Sequence, residues 1–413
     1  GGGGALLPPP PAGGGGARRG GGPPPPPRAA LPALCATQIT SWGIVYYAFP
    51  VLNPQITTAT GWPTGATTAA FSAALLVSAI AGIRVGRIID RHGPRTVMTT
   101  GSVLGVTSVL IIASAPNLPV FTAGWLLAGL AMAATFYQPA FAALTRWWAP
   151  DHVRALTVVT LAGGLASTAF APLTATLASH LSWRTTYVVL ALILAAVTIP
   201  AHALALKAPW PEPFTPTGLH DDVGVEKVTR TRPFWMLATT LTLSAFTVSA
   251  AVIALVPLMI ERGYTSTEAA WALGLGGAGQ TLGRTLYATL ARHTSPTTRT
   301  ITLVALGALA TAALAITPGP YAMLVALSIA AGTVRGNLTL LQATAITDRW
   351  GTTHYGRLSG LLAAPTTTAA AIAPFAGTAI AAPLGGYPQL FIALAAISAA
   401  ACITALKTTP SRA

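Results

Sequence analysis

The chain has 413 residues, of which 53% are hydrophobic and only 8% charged, and its mean hydropathy is +0.63. That balance excludes a water-soluble globular domain and calls for lipid as solvent. The formal charge of +14 invites a nucleic-acid reading, but the basic residues are strung between apolar runs and form no patch, which excludes nucleic acid as a partner.

In chain order, residues 1–29 are dominated by Gly, Pro and Ala, with Arg18, Arg19 and Arg28, and are expected to be a disordered tail. The tail has no apolar stretch, so it does not read as a cleaved signal peptide, and without an initiating Met it is not obviously the native start. A spanning helix needs about 20 mostly apolar residues. Twelve runs fit, at 31–51, 67–89, 96–115, 119–141, 155–178, 184–206, 233–258, 268–291, 300–317, 320–345, 357–382 and 387–406. Cys35 and Cys402 each sit inside an apolar run at opposite ends of the chain and read as small hydrophobes rather than a disulfide or a metal pair. The longest loop, 207–232, carries Pro209, Pro211, Pro213, Pro216 and four acidic residues, Glu212, Asp221, Asp222 and Glu226, and divides the runs six and six. The expected organisation is an N-terminal bundle at 30–206, a linker at 207–232, a C-terminal bundle at 233–407 and a short tail at 408–413.

An internal repeat supports the division. Arg146-Trp147 at the end of run 4 recurs as Arg349-Trp350 at the end of run 10, an offset of 203 residues. Ala171-Pro172 recurs as Ala373-Pro374 at 202, and Arg91-His92 as Arg292-His293 at 201. The pattern is that of two halves related by an axis along the membrane normal. With the N-terminus inside, nearly all Lys and Arg of the loops fall on one side, and only Arg184 and Arg262 fall on the other. By the positive-inside rule both termini are cytoplasmic.

Between runs 2 and 3 the sequence reads Gly86-Arg87-Ile88-Ile89-Asp90-Arg91-His92-Gly93-Pro94-Arg95, while 66–83 and 97–115 on either side hold no charge. The spacing Gly-x-x-x-Asp-Arg-x-Gly-x-Arg resembles the signature loop between helices 2 and 3 of the major facilitator superfamily of secondary transporters. The resemblance implies an all-α integral membrane fold of twelve transmembrane helices in two six-helix bundles. It also implies that Gly86, Asp90, Arg91, Gly93 and Arg95 form a conformational latch. Gly86 would let helix 2 approach helix 11 of the other half, and Asp90 would face the positive end of a helix such as run 11, beginning near Gly356. Arg91 and Arg95 would supply partners and hold the loop to anionic headgroups. Asp90 has a second reading, a static cluster with Arg91 or Arg146. The C-terminal copy is degraded, with Tyr287 and Ala291 where Gly86 and Asp90 project.

Substrate chemistry is sought among polar residues inside the runs, where they are costly. Arg335 lies in run 10, fourteen residues before Arg349, which puts it roughly 21 Å from that helix end. Thr339 and Gln342 share its face. Run 8 offers Gln280, Arg284 and Tyr287, run 1 offers Gln38, Trp42 and Tyr46, and run 4 ends with Tyr137 and Gln138. All nine acidic residues fall in loops or at run ends, so no buried carboxylate neutralises Arg335. Either water reaches it, or an anionic ligand completes the pair, or backbone carbonyls of a neighbouring helix hold the guanidinium. Arg284 reads as a second ligand or as a remnant of the duplicated loop, and the aromatics of run 1 as site or as helix contacts. His202 in run 6 is the one candidate titrating group inside a run, and its place near a run end fits an interfacial residue.

No P-loop, dinucleotide fingerprint, metal-ligand spacing or nucleophile–base pair is present, so no enzyme activity, cofactor or metal is expected. The expected function is secondary transport by alternating access of a small organic solute, an anion bound by Arg335. The expected setting is the plasma membrane, as a multi-pass monomer in the lipid bilayer, with a proton as a candidate coupling ion. The alternative is drug or natural-product efflux by proton antiport. Trp125 stands where drug exporters of the family carry an arginine four residues before a glycine, here Gly129, and the span 5 motif is reduced to Ala171-Pro172, which argues against that alternative.

Overall fold

The computed structural model describes Gly1 and residues 27–148, 152–210, 222–350 and 355–408; the side chains of Asp90, His152, Val153 and of residues 222–225 and 355–357 lie outside that set. The tail expected at 1–29 therefore falls almost wholly outside the described residues, as do 211–221 of the linker and 409–413 of the C-terminal tail.

Every regular element among the described residues is a helix. Helix 1 runs Ala30–Trp42, passes through a π turn at Gly43–Tyr47 and resumes at Ala48–Thr60. Helix 2 is Thr64–His92, helix 3 Pro94–Ser114, helix 4 Leu118–Thr135 with Tyr137–Trp147, helix 5 His152–Gly164 with Ala166–His180, and helix 6 Trp183–Ala205. A short helix at Asp222–Thr229 leads into helix 7, Arg232–Glu261. Helix 8 is Ser266–His293, helix 9 Pro296–Ile316, helix 10 Tyr321–Thr344 with a last turn at Thr347–Trp350, helix 11 Tyr355–Leu384 and helix 12 Tyr387–Ala405.

Among the described residues ten helices are long and apolar enough to cross a membrane. The other two of the expected twelve are helix 1, which its π turn divides, and helix 8, whose glycines, Gln280 and Arg284 dilute its apolar character. Helix starts follow ordinary capping chemistry. The Asn117 side chain accepts from Val120 N at 3.0 Å, Ser182 and Ser295 cap helices 6 and 9, and Thr265 with Glu268 forms a capping box on helix 8.

The repeat is visible in the backbone. Helices 1 and 7 both end on a left-handed glycine, Gly61 (φ 71°) and Gly263 (φ 88°), 202 positions apart. Helices 3 and 9 are each 21 residues long and begin on a proline, again 202 apart. Helices 4 and 10 start 203 apart, at Leu118 and Tyr321.

The two sets of six helices meet at one end and part at the other. At the end marked by Gly61 and Gly263 they interlock: Phe375 N on helix 11 donates to Ser72 Oγ on helix 2 at 3.0 Å, and Thr168 Oγ1 on helix 5 donates to Gly274 O on helix 8 at 2.8 Å. Ile253 of helix 7 packs into the core of the first half, and Tyr47, Val51 and Ala171 pack into that of the second. At the opposite end each half keeps a core of its own, around Leu34, Met98, Leu144 and Trp147 in the first and Phe234, Tyr287, Leu341 and Leu362 in the second. The close approach of helix 2 to helix 11 expected at Gly86 is not made. Nothing lies within 4 Å of where a Cβ would stand at Gly86 or at Gly360, because this is the end at which the halves separate.

Candidate functional site

The site is built on the packing of helices 8 and 10. They touch backbone to backbone, since a Cβ on Gly279, Gly283, Gly332 or Gly336 would run into a carbonyl of the opposite helix. That closeness sets Gln280 beside Arg335, whose Nη2 donates to Gln280 Oε1 at 2.8 Å. Arg335 Nε is buried and has no hydrogen-bond partner among the described residues. The alternative in which neighbouring carbonyls hold this guanidinium is not what the structure shows, because its described bond goes to one side chain. A buried unpaired donor costs about 1–3 kcal/mol, more when it carries charge. An acceptor that brings negative charge to Nε therefore gains both a charge-assisted bond and relief of that cost.

Facing Arg335 from the first half are the aromatic residues of helices 1 and 4. Trp42 stacks on Phe136 with ring centroids 4.0 Å apart and lies 5.2 Å from Tyr137 and 5.4 Å from Tyr46. Tyr46 and Tyr137 both lie within electrostatic range of Arg335. The π turn is the local cause of this grouping: one extra residue in the turn resets the facing of Tyr46 and Tyr47 relative to Trp42.

Gln38 takes a different role from the one expected. It is fully buried, and its Nε2 donates to Thr135 O at 2.7 Å and Phe136 O at 3.3 Å while its Oε1 accepts from Trp42 Nε1 at 3.2 Å. Helix 4 breaks at Phe136, and Pro139, four residues after Thr135, has no N–H to return to the Thr135 carbonyl. Gln38 supplies the missing donor, so it is a brace for the break and has no group left for a ligand.

Arg284 joins the halves. It is buried, its Nη1 donates to Thr160 O of helix 5 across the interface, and it reaches the Tyr137 hydroxyl. Tyr287, three residues on, points away from this region. Its hydroxyl is 2.6 Å from Thr344 Oγ1, its ring lies under Arg299, and it belongs to the separate core of the second half. The expected place of Tyr287 in the site is corrected accordingly: the turn of the helix carries it behind the Gly283–Thr333 contact. Thr339 is exposed with its hydroxyl returned to the Arg335 carbonyl at 3.0 Å, and Gln342 is half-buried one turn further. The thiols of Cys35 and Cys402 are free, and neither pairs with the other.

His202 is not interfacial but fully buried, with Nδ1 2.7 Å from Ser102 Oγ. Ser102 Oγ also lies 3.0 Å from Met98 O, and His202 Nε2 is buried with no hydrogen-bond partner among the described residues. In the loop after helix 2, Arg91 is exposed, and Arg95 Nε donates to Ala203 O at 2.9 Å, capping helix 6. Gly93 (φ 80°) lies under Trp210 of the linker, which also covers Trp147 and takes the Arg146 guanidinium 4.7 Å over its ring. The Asp90 side chain lies outside the described residues. Sequence reasoning passed over Thr160, which enters through its backbone carbonyl, and Ser244 of helix 7, whose buried hydroxyl has no partner among the described residues.

A helical membrane fold of two parted six-helix halves around a polar interior is that of a carrier. Comparison with known proteins agrees. The family model of the Major Facilitator Superfamily matches residues 34–342, and the chain belongs to that family. It is similar to the uncharacterized MFS-type transporter YcxA of Bacillus subtilis (strain 168), at 27% identity over 136 residues, which is 33% of this chain and 33% of YcxA. The matched segment thus spans about one third of that relative's length. The fold is similar to the crystal structure of a bacterial homolog of the human lysosomal transporter Spinster, inward-facing and unoccupied, with a TM-score of 0.73 at 14% identity over 93% of this chain and 98% of that one. It is also similar to a mutant of the nucleoside transporter NupG, with a TM-score of 0.72 at 11% identity over 92% of this chain and 98% of that one.

Proposed function

We propose that this chain carries a small organic anion across the plasma membrane by alternating access, with Arg335 as the group that binds the negative charge. The observation that carries the reading is Arg335 itself. Its guanidinium lies mid-helix with one bond spent on Gln280 and a buried Nε free among the described residues, and no described carboxylate lies in the middle of a spanning helix. Asp348, nearest along the chain, is already paired with Arg299. Gln280 orients the guanidinium, and Trp42, Tyr46 and Tyr137 form the facing wall.

Both termini lie on the cytoplasmic side in this reading. The end at which the halves part carries Arg87, Arg91, Arg95, Arg146, Arg292 and Arg349, and the positive-inside rule puts such an end inside. The conformation is then inward-facing, and the contacts of Ser72 with Phe375 and of Thr168 with Gly274 close the outer side. The loop 86–95 is the element that latches in the opposite conformation, when Gly86 comes against helix 11. The chain works as a monomer, driven by the gradient of the anion or of a coupled proton.

The test is uptake into proteoliposomes by the full chain, with a panel of labelled small anions and size-matched neutral and cationic compounds. The anions are expected to exchange, and Arg335→Gln to abolish that exchange while the protein stays folded. Anion exchange by Arg335→Gln at the normal rate would remove the assignment and leave the fold reading intact.

A further inference from the structure

The two halves are copies, yet one is filled and the other is hollow. In the first half Phe49, Phe71 and Trp125 are fully buried and interlocked, with Phe49 and Phe71 stacked 4.5 Å apart and Trp125 edge-on to both at 5.1 and 5.0 Å. The backbone offsets locate their counterparts. Helices 1 and 7 are 202 apart, so Phe49 corresponds to Ala251; helices 4 and 10 are 203 apart, so Trp125 corresponds to Ser328. A phenyl ring and an indole are thus reduced to a methyl and a hydroxymethyl. Where the two rings would lie, the second half has a cavity of about 70 Å³ between helices 7, 8, 9, 10 and 12, and both Ala251 and Ser328 line it.

The cavity is not merely a packing gap. Arg335 lines it, and so does Ser244, which is 7% exposed and whose Oγ has no hydrogen-bond partner among the described residues. A serine inside a helix ordinarily returns its proton to the preceding turn, as Ser328 does to Leu324 O at 2.8 Å. Ser244 does not. The other hydroxyls of the wall, those of Thr247, Thr311 and Ser398, are bonded to Ser244 O, Gly307 O and Thr247 Oγ1, and the rest is apolar, with Val248, Val252 and Leu255 on helix 7. A dry cavity bounded by aliphatic side chains needs no polar groups at all; this one has a cationic donor and an idle hydroxyl.

We propose that this cavity within the second half is the pocket for the body of the substrate, and that the substrate class is a compact, ring-bearing monocarboxylate with a second polar group. The proposal rests on the reading of Arg335 as the anion site. The carboxylate pairs with Arg335, the ring takes the space that Phe49 and Trp125 occupy in the other copy, and the second polar group meets Ser244. Recognition is then carried by one half, while the aromatic wall of helices 1 and 4 closes over the anionic end.

Benzoate, 4-hydroxybenzoate and benzamide are the probes, tested by thermal shift and by exchange in proteoliposomes on the full chain. Both carboxylates are expected to bind and benzamide to fail. 4-Hydroxybenzoate is expected to bind roughly fivefold more tightly than benzoate, the value of one neutral hydrogen bond. Ser244→Ala should erase that preference. Ser328→Trp, which restores the residue of the first half, should abolish binding of both, and Ala251→Leu is the milder filling variant if the tryptophan variant does not fold. Failure of wild type to bind either carboxylate, or equal binding by wild type and the folded filling variant, would overturn the proposal. If Arg335→Gln still loses anion exchange while the filling variants bind normally, the pocket is wrong and the anion reading stands; if Arg335→Gln exchanges anions normally, the anion reading itself has failed.

Discussion

Replacing Gln38 by leucine separates a ligand role from a bracing role. The change removes a donor from the Thr135 and Phe136 carbonyls and an acceptor from the Trp42 indole, in a site with no exposure. The Phe136 carbonyl can still receive the helical bond from Ala140, and Trp42 keeps its stack on Phe136. The Thr135 carbonyl has no substitute, because its helical partner would be Pro139. Two groups are therefore left unsatisfied, Thr135 O and Trp42 Nε1, at about 1–3 kcal/mol each. A loss of ~2–4 kcal/mol follows once the better packing of leucine is set against it. The assay is the thermal unfolding midpoint of the full chain in detergent, with KM measured on the folded protein in proteoliposomes. The midpoint should fall by several degrees with KM unchanged. An unchanged midpoint with a raised KM would refute the bracing argument and return Gln38 to the binding site.

Other outcomes follow from the same structure. Gly336→Ala places a methyl against the Gln280 carbonyl and should cost ~3 kcal/mol or more and abolish transport, whereas Gly65→Ala, whose Cβ would meet nothing within 4 Å, should be silent in both assays. Arg299→Leu strands the Asp348 carboxylate and should destabilise by about 3 kcal/mol, and Arg299→Leu with Asp348→Leu should recover most of the loss, which denaturation midpoints will show. Arg284→Gln releases the Thr160 carbonyl. It should slow disulfide crosslinking between Gly164→Cys and Thr281→Cys, a pair held together in the present conformation, in a background lacking Cys35 and Cys402. In that background Gly86→Cys should react with a membrane-impermeant maleimide from the cytoplasmic face alone, and fast labelling from outside would reverse the orientation.

Much of the fold was legible because burial in lipid imposes a coarse, length-based signal. The twelve runs, the duplication and the latch sequence could all be read from spacing, and Arg335 stood out because a guanidinium so far from a helix end needs an explanation. Boundaries were less legible: the first run extends helically to Thr60, through Pro54, and run 4 is two helices hinged at Phe136. Side-chain roles on a shared helical face were the least legible. Gln38 and Tyr287 satisfy the spacing rule for facing the cavity, yet a broken helix claims the one and the Thr344–Arg299 cluster claims the other.

The sequence by itself determined that the protein lives in a bilayer, that it consists of two related sets of six helices, and that its deepest fixed charge is positive. These depend on composition and periodicity, which act residue by residue along the chain. Only the tertiary structure decided which end of the molecule is parted, which polar groups are idle and which are spent, and that one copy of the repeat is filled with rings where the other is hollow. Those depend on what each side chain meets on other helices, from 49 residues away for Arg299 and Asp348 to 303 for Ser72 and Phe375, and no local pattern encodes that meeting.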